Sequence, residues 1–215
     1  MEEVQIPLRD GGKIDAFLVV PANAAALVLF AHGSGSGRHS VRNRFVADIL
    51  DGAGIGTLLL DLLTEAEERV DRETAEYRFD VELLASRLVD ATEWVRSRAE
   101  TASLRLGYYG ASTGAAAALV AAAQLQDTIA AVVSRGGRPD LAGEALRSVT
   151  ARTLLIVGGE DRAVIDLNRK AAEMLRAPHE LVIVPGAGHL FEEPGTLAQV
   201  ARLTRKWYDR YLNAV

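Results

Sequence analysis

Along the chain, short and almost wholly apolar runs alternate with longer stretches in which apolar residues return every three or four positions. "VQIPL" (4–8) and "IDAFLVV" (14–20) stand on either side of "RDGGK", whose Asp-Gly-Gly suits a chain reversal, so the pair predicts a hairpin. Six further runs follow: "ALVLFA" (26–31), "TLLLD" (57–61), "RLGYYG" (105–110), "IAAVVS" (129–134), "TLLIVGG" (153–159) and "ELVIVPG" (180–186). They are too continuous for strands with one wet face and read as parallel strands covered on both sides.

Between them the pattern turns helical over 41–51, about 78–99, 113–125, 141–148, 166–176 and 195–212. In the longest, Phe79, Leu83, Leu84, Leu88, Ala91 and Val95 keep helical spacing, and Pro194 opens the last, where a proline costs no hydrogen bond. This order predicts an α/β protein with a mainly parallel sheet of about eight strands and helices on both faces. No repeat, linker or change of composition divides the chain, so 1–215 is expected to be a single domain. The acidic stretch "LTEAEERVDRETAEY" (63–77) reads as a solvated excursion, placed between a strand end and a helix where it can rim a site.

Composition narrows the functional classes. With 49% hydrophobic and 25% charged residues, the chain has the profile of a soluble globular protein. A net charge of −5, with "RHSVRNR" (38–44) as the densest basic stretch, argues against nucleic acid as a partner. The absence of cysteine excludes a disulfide framework, a cysteine-held metal and a thiol nucleophile together. The four histidines show no metal-ligand spacing, so neither a metal nor another cofactor is expected. "MEEVQIPLRDGGKIDAF" has no secretory signature, and no apolar run nears the ~20 residues of a membrane helix, which predicts a cytoplasmic protein without a membrane partner.

In an open parallel sheet, ligands gather beyond the carboxyl ends of the strands. There the sequence places "HGSGSGR" (32–38), Asp61, Gly110-Ala111-Ser112-Thr113-Gly114, "RGGRPD" (135–140), "GGED" (158–161) and His189. One serine, one acid and one histidine thus follow three separate strands, in the order Ser112, Asp161, His189. Ser112 reads either as a nucleophile on a tight turn or as a cap for the alanine-rich helix behind it. Only the first accounts for both glycines, because such a turn brings backbones too close for side chains. Glu160 and Asp166 compete with Asp161, Asp166 as the cap of the helix at 166. His39 and His179 read as exposed, and His32 as the maker of a structural hydrogen bond in its His-Gly turn. "GSGSGR" lacks the lysine and Ser/Thr of a phosphate loop.

The order and placement of these residues resemble the α/β-hydrolase fold, whose nucleophile elbow Gly110 to Gly114 fits. "HGSGSGRHSVRNR", "LDLLTEAEE", "GASTGAAAA", "SRGGRPDLAG", "LLIVGGED" and "VPGAGHLFEEPG" extend the likeness over nearly the whole chain, to the small dienelactone-hydrolase-like branch. The resemblance implies Ser112 as nucleophile, His189 as base and Asp161 as the acid that orients it. It implies oxyanion donors in the N–H groups of Thr113 and Ser34, with Gly35 as the substitute for Ser34. About 20 residues separate most strands, which leaves no room for a large cap, and the open site that results is expected to take small or short-chain esters. Gly35, Leu62, Arg135, Leu190 and Phe191 stand beside strand ends and are expected to line it. Arg135 either binds an acidic substrate group or pairs with Asp140 or the 63–77 stretch. Dienelactone hydrolases proper use a cysteine where this chain has Ser112, so the expected reaction is carboxylic ester hydrolysis through an acyl-enzyme. Lactonase, thioesterase, amidase or acyltransferase activity on the same three residues, and ligand binding without turnover, are the alternatives.

Overall fold

The computed structural model describes residues 1–213. Eight strands form one sheet: β1 (Glu2–Pro7), β2 (Lys13–Val19), β3 (Ala26–Ala31), β4 (Gly56–Leu60), β5 (Arg105–Ala111), β6 (Ile129–Arg135), β7 (Arg152–Gly158) and β8 (His179–Val184). Their order across the sheet is β1-β2-β4-β3-β5-β6-β7-β8. The β1–β2 hairpin is antiparallel and β2 joins β4 antiparallel, whereas every later pairing is parallel. The carboxyl ends of β3 to β8 therefore open on one edge.

Strand periodicity sorts the core into two layers. Leu27, Leu29, Leu58, Leu60 and Tyr108 face α3 (Val81–Ser97), α4 (Thr113–Leu125) and α5 (Arg162–Met174). Val28, Phe30, Leu59, Tyr109 and Val133 face α1 (Val41–Asp51) and α6 (Thr196–Tyr211). Every residue of β3 and β4 is buried, as their continuous apolar runs require. In α4 the alanines are buried on all sides, so this helix shows no apolar stripe and lies close on the sheet.

Several elements differ from expectation for identifiable reasons. The 63–77 stretch is no excursion: it holds α2 (Glu65–Thr74), begun by a reciprocal capping box between Thr64 and Glu67. Asp71 of this helix turns inward, 2% exposed, and accepts from the N–H groups of Tyr77 and Arg78 and from Arg78 Nε at 2.7–2.8 Å. Buried Arg87 of α3 grips Glu67 and Asp10. The helix expected from 78 starts at Val81, because Asp80 caps the N–H of Leu83, and this leaves Phe79 outside it and 60% exposed. The 141–148 segment is a 3-10 stretch, Pro139–Ser148, kinked at Gly143. Since α5 begins at Arg162, Asp166 lies inside it, paired with Arg169, and caps nothing. The last helix starts after Gly195, one residue beyond Pro194. Among the described residues no helix is long and apolar enough to cross a membrane, and no cluster of His, Cys, Asp and Glu could hold a metal ion.

Candidate active site

Ser112 alone makes the turn from β5 into α4, with φ 51° and ψ −122°. An L-residue pays for that backbone in strain, and persists in it only where the surroundings hold it there. Here the Ser112 N–H donates to Arg135 O, while its carbonyl accepts from the N–H groups of Ala115 and Arg138. Its side chain makes no capping hydrogen bond, so the helix-cap alternative does not describe it. Both flanking glycines are sterically required. A Cβ on Gly110 would stand 2.4 Å from Ala115 Cα, and one on Gly114 would stand 2.4 Å from the carbonyl oxygens of Ala31 and His32.

Asp161 follows β7 at the N-terminus of α5, where its side chain also leaves the helix uncapped. Its Oδ2 instead meets His189 Nδ1 at 2.6 Å. The exits of β7 and β8 are zipped together to allow this, Gly159 N–H to Val184 O and Glu160 N–H to Ala187 O, while the Glu160 side chain points to solvent. With Nδ1 committed to the carboxylate, Nε2 is the imidazole nitrogen left for a reacting group. The β6 exit joins this pair to the serine: Arg135 O holds Ser112 N–H, and a Cβ on the next residue, Gly136, would lie 3.7 Å from His189 Nδ1. Among the described residues the Ser112 hydroxyl itself is unpaired.

The loop after β3 passes beside the Ser112 turn, close enough that a Cβ on Gly33 would be 3.2 Å from Ser112 Cβ. Ser34 Oγ lies 2.8 Å from Thr113 Oγ1, which ties together the two residues expected to donate to an oxyanion. The Thr113 N–H lies in the first turn of α4, where no intrahelical carbonyl can reach it. Ser34 Oγ also lies 3.4 Å from the carbonyl of Arg78, a contact from the α2–α3 connection that the sequence pattern did not suggest.

The expected lining residues divide. Gly35 and Leu62 border a small cavity with His32, Arg78 and Leu84, and Leu190 is exposed beside His189. Phe191 and Arg135 belong to the core instead. Phe191 is fully buried at φ 57°, and Arg135 is 5% exposed, its Nη2 on Asn43 Oδ1 at 3.3 Å and its guanidinium 6.0 Å from the Phe191 ring. Neither expected acid reaches Arg135, for Asp140 is bound by both arms of Arg138. A larger cleft, about 920 Å³, is lined by Gly35, Ser36, Arg38, His39, Asp61 and Arg69 among others, and not by Ser112 or His189. His39 and His179 are exposed, as read. Two buried groups nearby have shifted titration. Burial pushes the His32 imidazole below its ordinary value, against the opposing pull of the Gly33 bond, Asp61 and Glu68. Burial would raise the Asp71 carboxyl, but its bonds from Arg78 and Tyr77 outweigh that and hold it low.

An eight-stranded, mainly parallel sheet with a strained serine after β5 and an Asp–His pair after β7 and β8 defines the α/β-hydrolase fold, here without a large cap domain. The family model described as the dienelactone hydrolase family matches residues 14–213, and the chain belongs to that family. A dienelactone hydrolase of known structure from Anabaena variabilis is 55% identical, with a TM-score of 0.96 over 98% of this chain and 97% of that one. A lidless α/β serine hydrolase from Xanthomonas campestris shares the fold at 20% identity, TM-score 0.77, over 100% of this chain and 96% of that one. Two Mycobacterium tuberculosis proteins named putative phosphoribosyl transferases are 56% identical over 211 residues, 98% of this chain. The chain spans only 46% of their length.

Proposed function

We propose that this chain is a serine hydrolase acting on small or short-chain carboxylic esters, with Ser112 as nucleophile, His189 as base and Asp161 as its orienting acid. The observation that carries the reading is the strained Ser112 turn, set among backbone bonds that lead to the loop of the Asp161–His189 pair. His189 Nε2 takes the hydroxyl proton as Ser112 Oγ attacks the ester carbonyl. The N–H groups of Thr113 and Ser34 receive the oxyanion. His189 returns the proton to the leaving alcohol, and water, deprotonated by the same imidazole, then releases the acid from the acyl-enzyme and restores the serine.

The likeness to a protein named dienelactone hydrolase favours a second substrate, a cyclic ester opened by the same steps. The phosphoribosyl transferase name belongs to proteins about twice as long, and the half matched here carries the hydrolase fold, so we assign hydrolysis to it. A panel of short-chain esters, lactones and thioesters on this protein and Ser112→Ala tests the reading. Turnover of an ester or lactone that falls by at least about 10³-fold in the variant supports it. Equal rates in both proteins would remove Ser112 from the mechanism.

A further inference from the structure

The loop that carries Ser34 and Gly35 is tied at both ends to two consecutive residues of the β4 exit. At its start, buried His32 places Nδ1 2.9 Å from Gly33 O and Nε2 3.0 Å from the N–H of Leu62. A carbonyl can only accept and an amide N–H can only donate, so Nδ1 carries the proton and Nε2 bears the lone pair. One neutral tautomer satisfies both bonds, and an imidazolium would forfeit the one to Leu62. The charged groups whose fields bear on this ring are Asp61 and, from α2, Glu68.

At the end of the loop, Asp61 Oδ1 accepts from the N–H of Arg38 at 2.7 Å, and Oδ2 takes the Arg38 guanidinium, which also reaches Glu3 and Asp15. The fit is close: a Cβ on Gly37 would lie 2.7 Å from Asp61 Oδ1. Between the two ties the loop closes on itself through Ser36 N–H to Gly33 O, and Ser34 leans on Thr113.

We infer that His32 and Asp61 are positioning residues, which clamp the loop to the β4 exit and so fix where the Ser34 N–H points. The inference rests on the serine hydrolase reading, and neither side chain touches the reacting atoms. It has a consequence that mere space-filling would not. Glutamine at 32 carries an oxygen that can take the Leu62 N–H, whereas the shorter asparagine reaches only the Gly33 carbonyl of its own loop. The bond between segments is the one that positions, so the two amides must behave differently.

The experiment is steady-state kinetics on a short-chain p-nitrophenyl ester, with circular dichroism and thermal unfolding of each protein alongside. His32→Phe is expected to lose about 100-fold in kcat at little-changed KM, the usual scale for a misplaced or missing oxyanion donor. His32→Gln recovers most of that loss and His32→Asn does not. Asp61→Ala loses about tenfold in kcat, and Asp61→Asn, whose amide oxygen still accepts from the Arg38 N–H, regains it. Folded His32→Phe and Asp61→Ala with kcat within about threefold of the parent would overturn the clamp. If His32→Phe does not fold, equal kcat in the Gln and Asn variants overturns it instead. A parent inert towards both ester and fluorophosphonate defeats the hydrolase reading separately. The clamp is then read from amide hydrogen exchange at Ser34 and Leu62, where equal protection in the Gln and Asn variants would end it.

Discussion

The Ser112 turn and the α2–α3 connection both face the carboxyl edge of the sheet, yet they are held by opposite means. Around Ser112 the fit comes from missing atoms: Gly110 and Gly114 let backbones approach where a single Cβ would stand 2.4 Å from its neighbours. Around Asp71 it comes from added polar atoms, a buried carboxylate with three bonds and a capping box next to a buried arginine. The first region should therefore break when atoms are gained and the second when they are lost. Steric fit holds the Ser112 backbone in place, and polar latching lets a hydrophilic segment pack against the loop that holds Ser34.

Gly114→Ala is the strongest test of the steric half. Its Cβ meets two carbonyl oxygens that cannot swing aside, so the variant is expected to be insoluble or to lose more than about 4 kcal/mol in urea unfolding. A loss under about 1 kcal/mol would mean that the turn is softer than described. Asp71→Ala tests the polar half. Removing one partner of a buried ion pair costs about 3 kcal/mol, and the loss should be local. Hydrogen exchange should rise over 64–80 while β3 and β5 keep their protection. Exchange that rises equally throughout would deny the distinction between the regions. Ser112→Gly relieves the φ of 51° and should gain about 1 kcal/mol of stability while ending turnover. A less stable glycine variant would show that the serine is not strained.

The smallest effects are titrations, and they run in opposite directions. Native His32 resists protonation, so as pH falls below the ordinary histidine value near 6.5 the unfolded chain binds a proton that the folded one refuses. Stability drops with it, and His32→Gln should flatten that slope in a series of thermal melts. Asp51 runs the other way: its carboxyl is pushed up to about 6, chiefly by burial. The folded state holds this proton after the unfolded state has lost it, so stability falls as pH rises from about 4 to about 6. Asp51→Asn should raise Tm at pH 7.5 by only about 1–2 °C, since the group is partly solvated, and leave it unchanged at pH 3. An equal gain at both pH values would rule titration out as the cause.

The same contrast decides what was legible in the sequence. The strands showed as continuous apolar runs, and Gly110 and Gly114 around Ser112 announced a close backbone approach, which the fold makes at both glycines. The strand-end positions of Asp161 and His189 were readable because a parallel sheet puts such residues on one edge. The helix α2 was missed because it has no apolar period: pairs such as Glu65–Arg69 and Glu68–Arg72 line it, and its anchor is the inward Asp71. Thr64 and Glu67, three apart at its start, were the available sign. Arg135 could not be placed from sequence, since Asn43 lies 92 residues away and no local pattern names it.

The central claim is that Ser112 is an activated nucleophile, and intact mass after exposure to a fluorophosphonate tests it most directly. The account predicts one adduct on the parent protein and none on Ser112→Ala under the same conditions. A folded parent that takes up no adduct, or a variant labelled as readily as the parent, would contradict it.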